Sequence, residues 1–238
     1  MDMKSFRVVA KDDGPAEVLI YGDIGAEEFF GGIGAEEIYH ELKALKNEDI
    51  LLRINSNGGD VFEGLAIYNH LKDYGGRVDV VVDGLAASAA SVIAMAGDSI
   101  HMNRGAQMMI HNSWMVTVGD KDEHAISNKW LSKVDADMVD LYAARTGQTS
   151  DAVISWMKET TYFSDTEAMA FGFADTNTKA PAIAAFGGDW MAYVPHLLSK
   201  AHARGFAKTI EHKPITKQVA DSVAAAYRKS IPLRFGSR

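Results

Sequence analysis

The chain has 238 residues, 47% of them hydrophobic and 24% charged, enough to bury one sizeable core or two smaller ones. A formal net charge of -8 argues against nucleic acid or an anionic membrane surface as the main partner. The absence of cysteine excludes disulfides, thiol nucleophiles and cysteine-based metal sites, and fits a reducing compartment.

Met1 to Val9 lacks the long apolar core of a signal peptide, and no apolar run approaches the roughly 18–20 residues that span a bilayer. The expectation is a soluble, cytoplasmic protein. Residues 1–15 read as a short lead-in or edge strand. Glu17-Val18-Leu19-Ile20-Tyr21 reads as a first strand ended by Gly22, and residues 23–34 as a Gly-rich acidic loop. Ile38, Leu42 and Leu45 recur at helical spacing with Glu and Lys opposite, which predicts a helix over 35–45. Ile50 to Ile54 is a short apolar run, hence a central strand. Asn55-Ser56-Asn57-Gly58-Gly59-Asp60 is a polar turn, and 61–74 has helical periodicity. Strand, turn and helix then repeat: the Val-rich run 77–83 predicts a buried strand, and 84–97 is a run of small, uncharged residues. Such alternation predicts a parallel or mostly parallel sheet with helical crossovers.

Further on, 98–101 and 105–111 read as short strands, the second ending on His111. Trp114 to Val118 suggests an exposed strand inside a polar stretch. A long amphipathic helix follows over 127–146, with Trp130, Leu131, Val134, Met138, Leu141 and Tyr142 on one face and Gly147 as its stop. A helix over 150–158, capped by Ser150, and a short one over 165–171, closed by Gly172, complete the folded part. The expected organisation is a lead-in over 1–15, a domain over 16–176 and a poorly packed tail over 177–238.

If the sheet is parallel, the Gly58-Gly59 turn, Ser88 and His111 all fall at the ends of adjacent strands, where open α/β sheets place their sites. Ser88 would sit at a helix N-terminus beside unpaired N–H groups, the setting an acyl-transfer nucleophile needs. Paired glycines let bare backbone approach a substrate carbonyl. The N–H groups of Gly59 and Ala89 would form an oxyanion hole, and His111 would take the Ser88 proton and return it to the leaving amine. Each piece has a plain alternative: a tight turn, a packing serine, a hydrogen-bonded surface histidine. Their combination in this order favours the site.

The blocks Ile54-Asn55-Ser56-Asn57-Gly58-Gly59, Gly84-Leu85-Ala86-Ala87-Ser88-Ala89 and Met109-Ile110-His111 resemble the signature blocks of the ClpP serine peptidases. A fourth block, Tyr162-Phe163-Ser164 with Glu167-Ala168 and Gly172-Phe173-Ala174-Asp175, is similar too. The resemblance runs from about Val18 to Asp175. It implies an α/β fold of the ClpP/crotonase type, built of repeated ββα units with a protruding handle helix (about 115–147) on a peptidase domain over 16–176. It implies Ser88 as nucleophile, His111 as base, and Gly59 and Ala89 as oxyanion donors. It also implies stacked rings, commonly heptamers, and a polypeptide substrate. The short N-terminal arm and extra tail resemble the phage and prophage head maturation branch, whose substrates would be capsid or scaffold proteins in a bacterial host cytoplasm.

The third triad position departs from the family's aspartate. It falls on Thr160, with Glu159 one residue earlier in reserve and Asp165 a distant third. Thr160 could fix the imidazole tautomer without stabilising imidazolium; if neither serves, a Ser–His dyad should turn over slowly. Other candidates are weaker: His101, His124, His196, His202 and His212 lack metal-ligand spacing with nearby carboxylates, so no metal is expected. Gly31-Gly32-Ile33-Gly34 lacks the context of a phosphate loop, so no nucleotide or other cofactor is expected, and an AAA+ ATPase partner stays open. Two rivals remain: a crotonase-type acyl-CoA enzyme, and a ClpP-like structural subunit with an impaired site.

Overall fold

A computed structural model describes residues 6–9, 15–25 and 32–178. Four parallel strands form its spine: β2 (Ala16–Ile24), β3 (Ile50–Gly59), β4 (Val78–Ala87) and β5 (Ser99–Met102). The edge strand β1 (Phe6–Val9) runs antiparallel to β2, and the two-residue β8 (Thr176–Asn177) runs parallel to β5. Past the end of β5, β4 continues and pairs instead with β6 (Gln107–Ile110), which pairs antiparallel with β7 (Thr161–Ser164). The sheet is mostly parallel, as the alternation predicts, with antiparallel pairing only between β1 and β2 and between β6 and β7 among the described residues.

Burial alternates along each spine strand. Val18 and Ile20, Leu52 and Ile54, and Val80 and Val82 are at most 1% exposed. They share one core with Ile38 and Leu42 of α1 (Ala35–Ala44), Ile67 and Leu71 of α2 (Val61–Lys72), and all of α3 (Ala89–Ala94). The alternate positions carry Arg53, Asp79 and Asp83 on a half-exposed face, where Asp83 accepts from Arg53, Tyr21 and Asn103. The apolar runs 50–54 and 77–83 therefore do not belong to a sheet buried on both sides. Only alternate residues are buried, as in a strand with one face against helices.

The long helix α4 (Lys121–Thr146) begins six residues before the expected start. Asp120 and Glu123 form a capping box there, which satisfies N–H groups that apolar periodicity does not register. Only Val134, Met138, Val139 and Tyr142 of α4 are buried, all in its second half. Trp114 to Val118 forms no strand. Trp114, Val116 and Val118 are 74%, 80% and 92% exposed, without a partner strand among the described residues.

Helix α5 (Ser150–Glu159) is capped by the Thr149 side chain rather than by Ser150. It leads through β7 to α6 (Asp165–Phe171), whose cap Ser164 forms a second box with Glu167. Trp156, Phe163, Phe171 and Phe173 pack together beneath this end, with the Phe163 and Phe173 rings stacked at 4.7 Å. The pairing of β8 with β5 runs through Asn177, and the Thr178 N–H donates to the Met102 carbonyl at 3.0 Å. The expected tail from residue 179 on lies outside the described residues.

Candidate active site

The parallel pairing of Leu85, Ala86 and Ala87 with Gln107, Met108 and Met109 brings the ends of β4 and β6 side by side. One residue beyond β4 is Ser88, and one beyond β6 is His111. The His111 Nε2 lies 2.7 Å from the Ser88 Oγ. For the hydroxyl to donate across this contact, Nε2 must be unprotonated, so the neutral ring carries its proton on Nδ1.

Ser88 has φ 54° and ψ -125°, a conformation unfavourable for a residue with a Cβ. It makes a sharp elbow between β4 and α3 and aims its side chain out of the sheet end. The elbow is held from both sides. Ser88 N–H donates to the Met109 carbonyl at 2.9 Å, and the Ser88 carbonyl accepts from the N–H groups of Ser91 (2.9 Å) and Val92 (3.3 Å). As the first residue of α3, Ala89 has no intrahelical acceptor for its N–H.

The end of β3 closes against this elbow. A Cβ added at Gly58 would lie 2.5 Å from the Ala87 carbonyl oxygen, 2.8 Å from the Ser88 Cβ and 2.9 Å from the Ala89 nitrogen. Gly58 also has φ +92°, so only glycine allows this approach. Ser56, 3% exposed, donates its hydroxyl to the Gly22 carbonyl at 2.5 Å and accepts the Gly58 N–H at 3.1 Å. Sequence reasoning passed over Ser56 as a polar turn residue. Its signal was a small hydroxyl two residues before a glycine, the spacing of a side-chain turn. Asp60 then caps α2 by accepting from Phe62 and Glu63 N–H.

His111 is half-buried, and desolvation lowers its pKa from the ordinary imidazole value. The charge of Asp135 on α4 opposes that shift in part. Asp135 itself accepts the N–H and hydroxyl of Ser113, both at 2.7 Å, which fixes it near the loop after His111. Nothing in the sequence marked it, because α4 approaches this loop only in the folded chain. Beside it, a cleft of about 420 Å³ is lined by Asn112, Asp135, Val139 and Ile154 among others.

Continuing the antiparallel register from Ile110↔Thr161 sets Thr160 opposite His111. Thr160 nevertheless makes no side-chain hydrogen bond to the imidazole. It is exposed, with φ 53°, and serves as the C-cap of α5. Glu159 accepts only from Ser155, at 3.4 Å, and Asp165 accepts from Asn177 at 3.0 Å. The structure therefore brings Ser88 and His111 together, sets Gly58 against Ser88 and Ala89, packs Gly59 on the backbone of Ile24, and leaves Nδ1 of His111 without a hydrogen-bond partner among the described residues. Among those residues no group of three or more His, Asp or Glu is arranged to hold a metal ion, and no helix is long and apolar enough to cross a membrane.

Comparison with known proteins gives the family. The Clp protease family matches residues 32–179, more than half of the chain. This protein belongs to the Clp protease family. Over 189 residues it is 32% identical to an ATP-dependent Clp protease proteolytic subunit of Solanum lycopersicum, covering 71% of this chain and 90% of that one. Over 132 residues it is 31% identical to ATP-dependent Clp protease proteolytic subunit 1 of Chlamydia muridarum, covering 54% and 69%. Among solved structures, the ClpP1 N165D mutant from Listeria monocytogenes aligns with TM-score 0.61 and 27% identity, over 69% of this chain and 92% of that one. The fold is accordingly ClpP-like: a mixed α/β sheet with helices. All four sequence blocks of this Clp protease family member lie within the matched residues.

Proposed function

We propose that this protein is a serine endopeptidase that hydrolyses peptide bonds through an acyl-enzyme on Ser88. The observation that carries the reading is the 2.7 Å contact between Ser88 Oγ and His111 Nε2 at the end of two paired strands. In the reaction, His111 removes the hydroxyl proton as Oγ attacks the substrate carbonyl. The N–H groups of Gly59 and Ala89 receive the developing oxyanion, and protonated His111 then donates to the leaving amine. Water repeats the sequence to release the acyl group. The exposed half of α4 and the apolar residues 114–118 support assembly with further copies of the chain, which native mass would reveal. Extended polypeptide is the substrate class; capsid or scaffold protein is the finer substrate that the phage resemblance suggests. The direct test is labelling by a fluorophosphonate probe: modification should map to Ser88, and an unlabelled protein would overturn the reading.

The bare Nδ1 favours a second reading, a family member with an impaired site. Replacing Thr160 by aspartate separates the two. Aspartate tolerates the left-handed backbone at this position, and its carboxylate would face imidazolium across the extended β6–β7 register. In a working dyad Thr160→Asp should raise kcat on the order of 10-fold, since removing the orienting carboxylate of a serine peptidase costs about 10⁴-fold. A chain impaired for other reasons would not respond.

The pH profile provides another check. His111 acts as a base only when neutral, so activity rises as pH rises through its pKa. Burial lowers that pKa, which places the acid limb of kcat/KM below the ordinary imidazole value of about 6.5. Asp135→Asn removes the opposing charge and should move the limb to still lower pH. A limb that moves upward in that variant would contradict the assignment.

A further inference from the structure

We propose that Tyr142 and Ser91 are positioning residues that hold the peptide between Ser88 and Ala89 with its N–H facing the oxyanion hole. This rests on the reading of Ser88 as nucleophile and Ala89 N–H as donor.

Ser91 is fully buried and its Oγ lies 2.6 Å from the Ser88 carbonyl oxygen. A carbonyl only accepts, so Ser91 donates and its single proton is committed there. The same Oγ lies 2.7 Å from the hydroxyl of Tyr142, which is 2% exposed. Tyr142 must therefore be the donor across that contact. The result is a one-way chain from α4 through α3 to the elbow: Tyr142 O–H to Ser91 Oγ, Ser91 O–H to the Ser88 carbonyl. Burial raises the Tyr142 pKa and keeps the phenol protonated, as its donor role requires. Its ring is also set against Phe173, centroids 5.9 Å apart, which limits its freedom.

What this chain opposes follows from backbone geometry. In a trans peptide the carbonyl and the following N–H point in opposite directions, so fixing the Ser88 carbonyl fixes the Ala89 N–H. Turning the Ser88 ψ by 180° from -125° would give about 55°, which with φ 54° is the ordinary left-handed basin. The flip relieves Ser88 but turns the Ala89 φ out of the helical region by the same rotation, and it would replace the oxyanion donor with a carbonyl. Hydrogen bonds to the Ser88 carbonyl hold the strained form, and the Ser91 hydroxyl is the side-chain share of that restraint. A carbonyl already served by two helix N–H groups does not need a third donor for satisfaction. A buried hydroxyl with its own buried donor behind it points to orientation instead.

Tyr142→Phe keeps the ring and removes only the phenol; Ser91→Ala removes the bond to the elbow directly. With the full chain, both should lower kcat on a peptide substrate on the order of 10-fold, less than the 10²–10³-fold for deleting a donor outright. KM should stay within about twofold and native mass should be unchanged. Affinity for a peptide boronate, whose tetrahedral oxygen enters the hole, should fall by the same factor as kcat. Wild-type kcat and boronate affinity in both variants would overturn the inference while leaving Ser88 labelling intact. A loss that appears only with altered native mass or KM would also overturn it, as a packing effect. If the wild-type chain takes no fluorophosphonate label at Ser88, the nucleophile assignment itself fails, and this inference with it.

Discussion

Ser88→Ala is expected to abolish peptide hydrolysis, by roughly 10⁴-fold or more, and to eliminate fluorophosphonate labelling while native mass stays constant. The size of the effect follows from the site's economy of parts. Oγ is the atom that His111 contacts at the mouth of the elbow, so no second hydroxyl stands in for it. Ser91, three residues on, is fully buried and committed to the Ser88 carbonyl. His111→Ala should cost a similar factor, and the two losses should not multiply in the double variant, because base and nucleophile act as one unit. Additive losses, or residual labelling of Ser88→Ala, would mean that chemistry occurs elsewhere.

Gly59→Ala is expected to be the most damaging single-methyl addition in the described structure. Gly59 has φ +151°, and a Cβ there would lie 1.9 Å from the Ile24 carbonyl oxygen and 2.9 Å from the Ile24 nitrogen. These are backbone atoms of the neighbouring parallel strand, so no rotamer change relieves the overlap. The ends of β2 and β3 would have to part, taking with them the Asp60 N–H bond to the Ile24 carbonyl and the cap of α2. Strain of this kind costs roughly 3–5 kcal/mol, a fall in thermal midpoint on the order of 10 °C for a domain of this size. Hydrolysis should be lost as well, since the proposed donor at Gly59 moves with the strand. The discriminating control is Gly105→Ala: its φ is +79°, but an added Cβ there meets nothing within 4 Å. If Gly59→Ala melts no lower than Gly105→Ala, close backbone packing is not what the paired glycines provide.

Much of this could be read along the chain because it depends on neighbours in sequence. Short apolar runs mark β2 to β4, and Gly147 and Gly172 do end their helices in the left-handed conformation. The block order placed Ser88 and His111 at strand ends, since parallel strands joined by crossovers present those ends on one edge. Trp114 to Val118 went the other way. Its composition suits a strand, but a strand requires a partner, and composition does not say whether one is present. The apolar runs in β3 and β4 overstated burial for a related reason: a strand pattern does not reveal whether helices cover one face or two.

Linear order by itself determined the α/β alternation and the helix-ending glycines, because each is a property of a residue or of its near neighbours; the expected turn at Gly58-Gly59 is instead the paired end of β3. Distances between residues far apart in sequence were decided only by folding. Thr160 comes opposite His111 yet makes no bond to it. Asp135 reaches the loop after His111, and Tyr142 meets Ser91 across 51 positions. The first follows from the β6–β7 register and the other two from how α4 packs through its buried second half, and none is a relation between near neighbours in sequence.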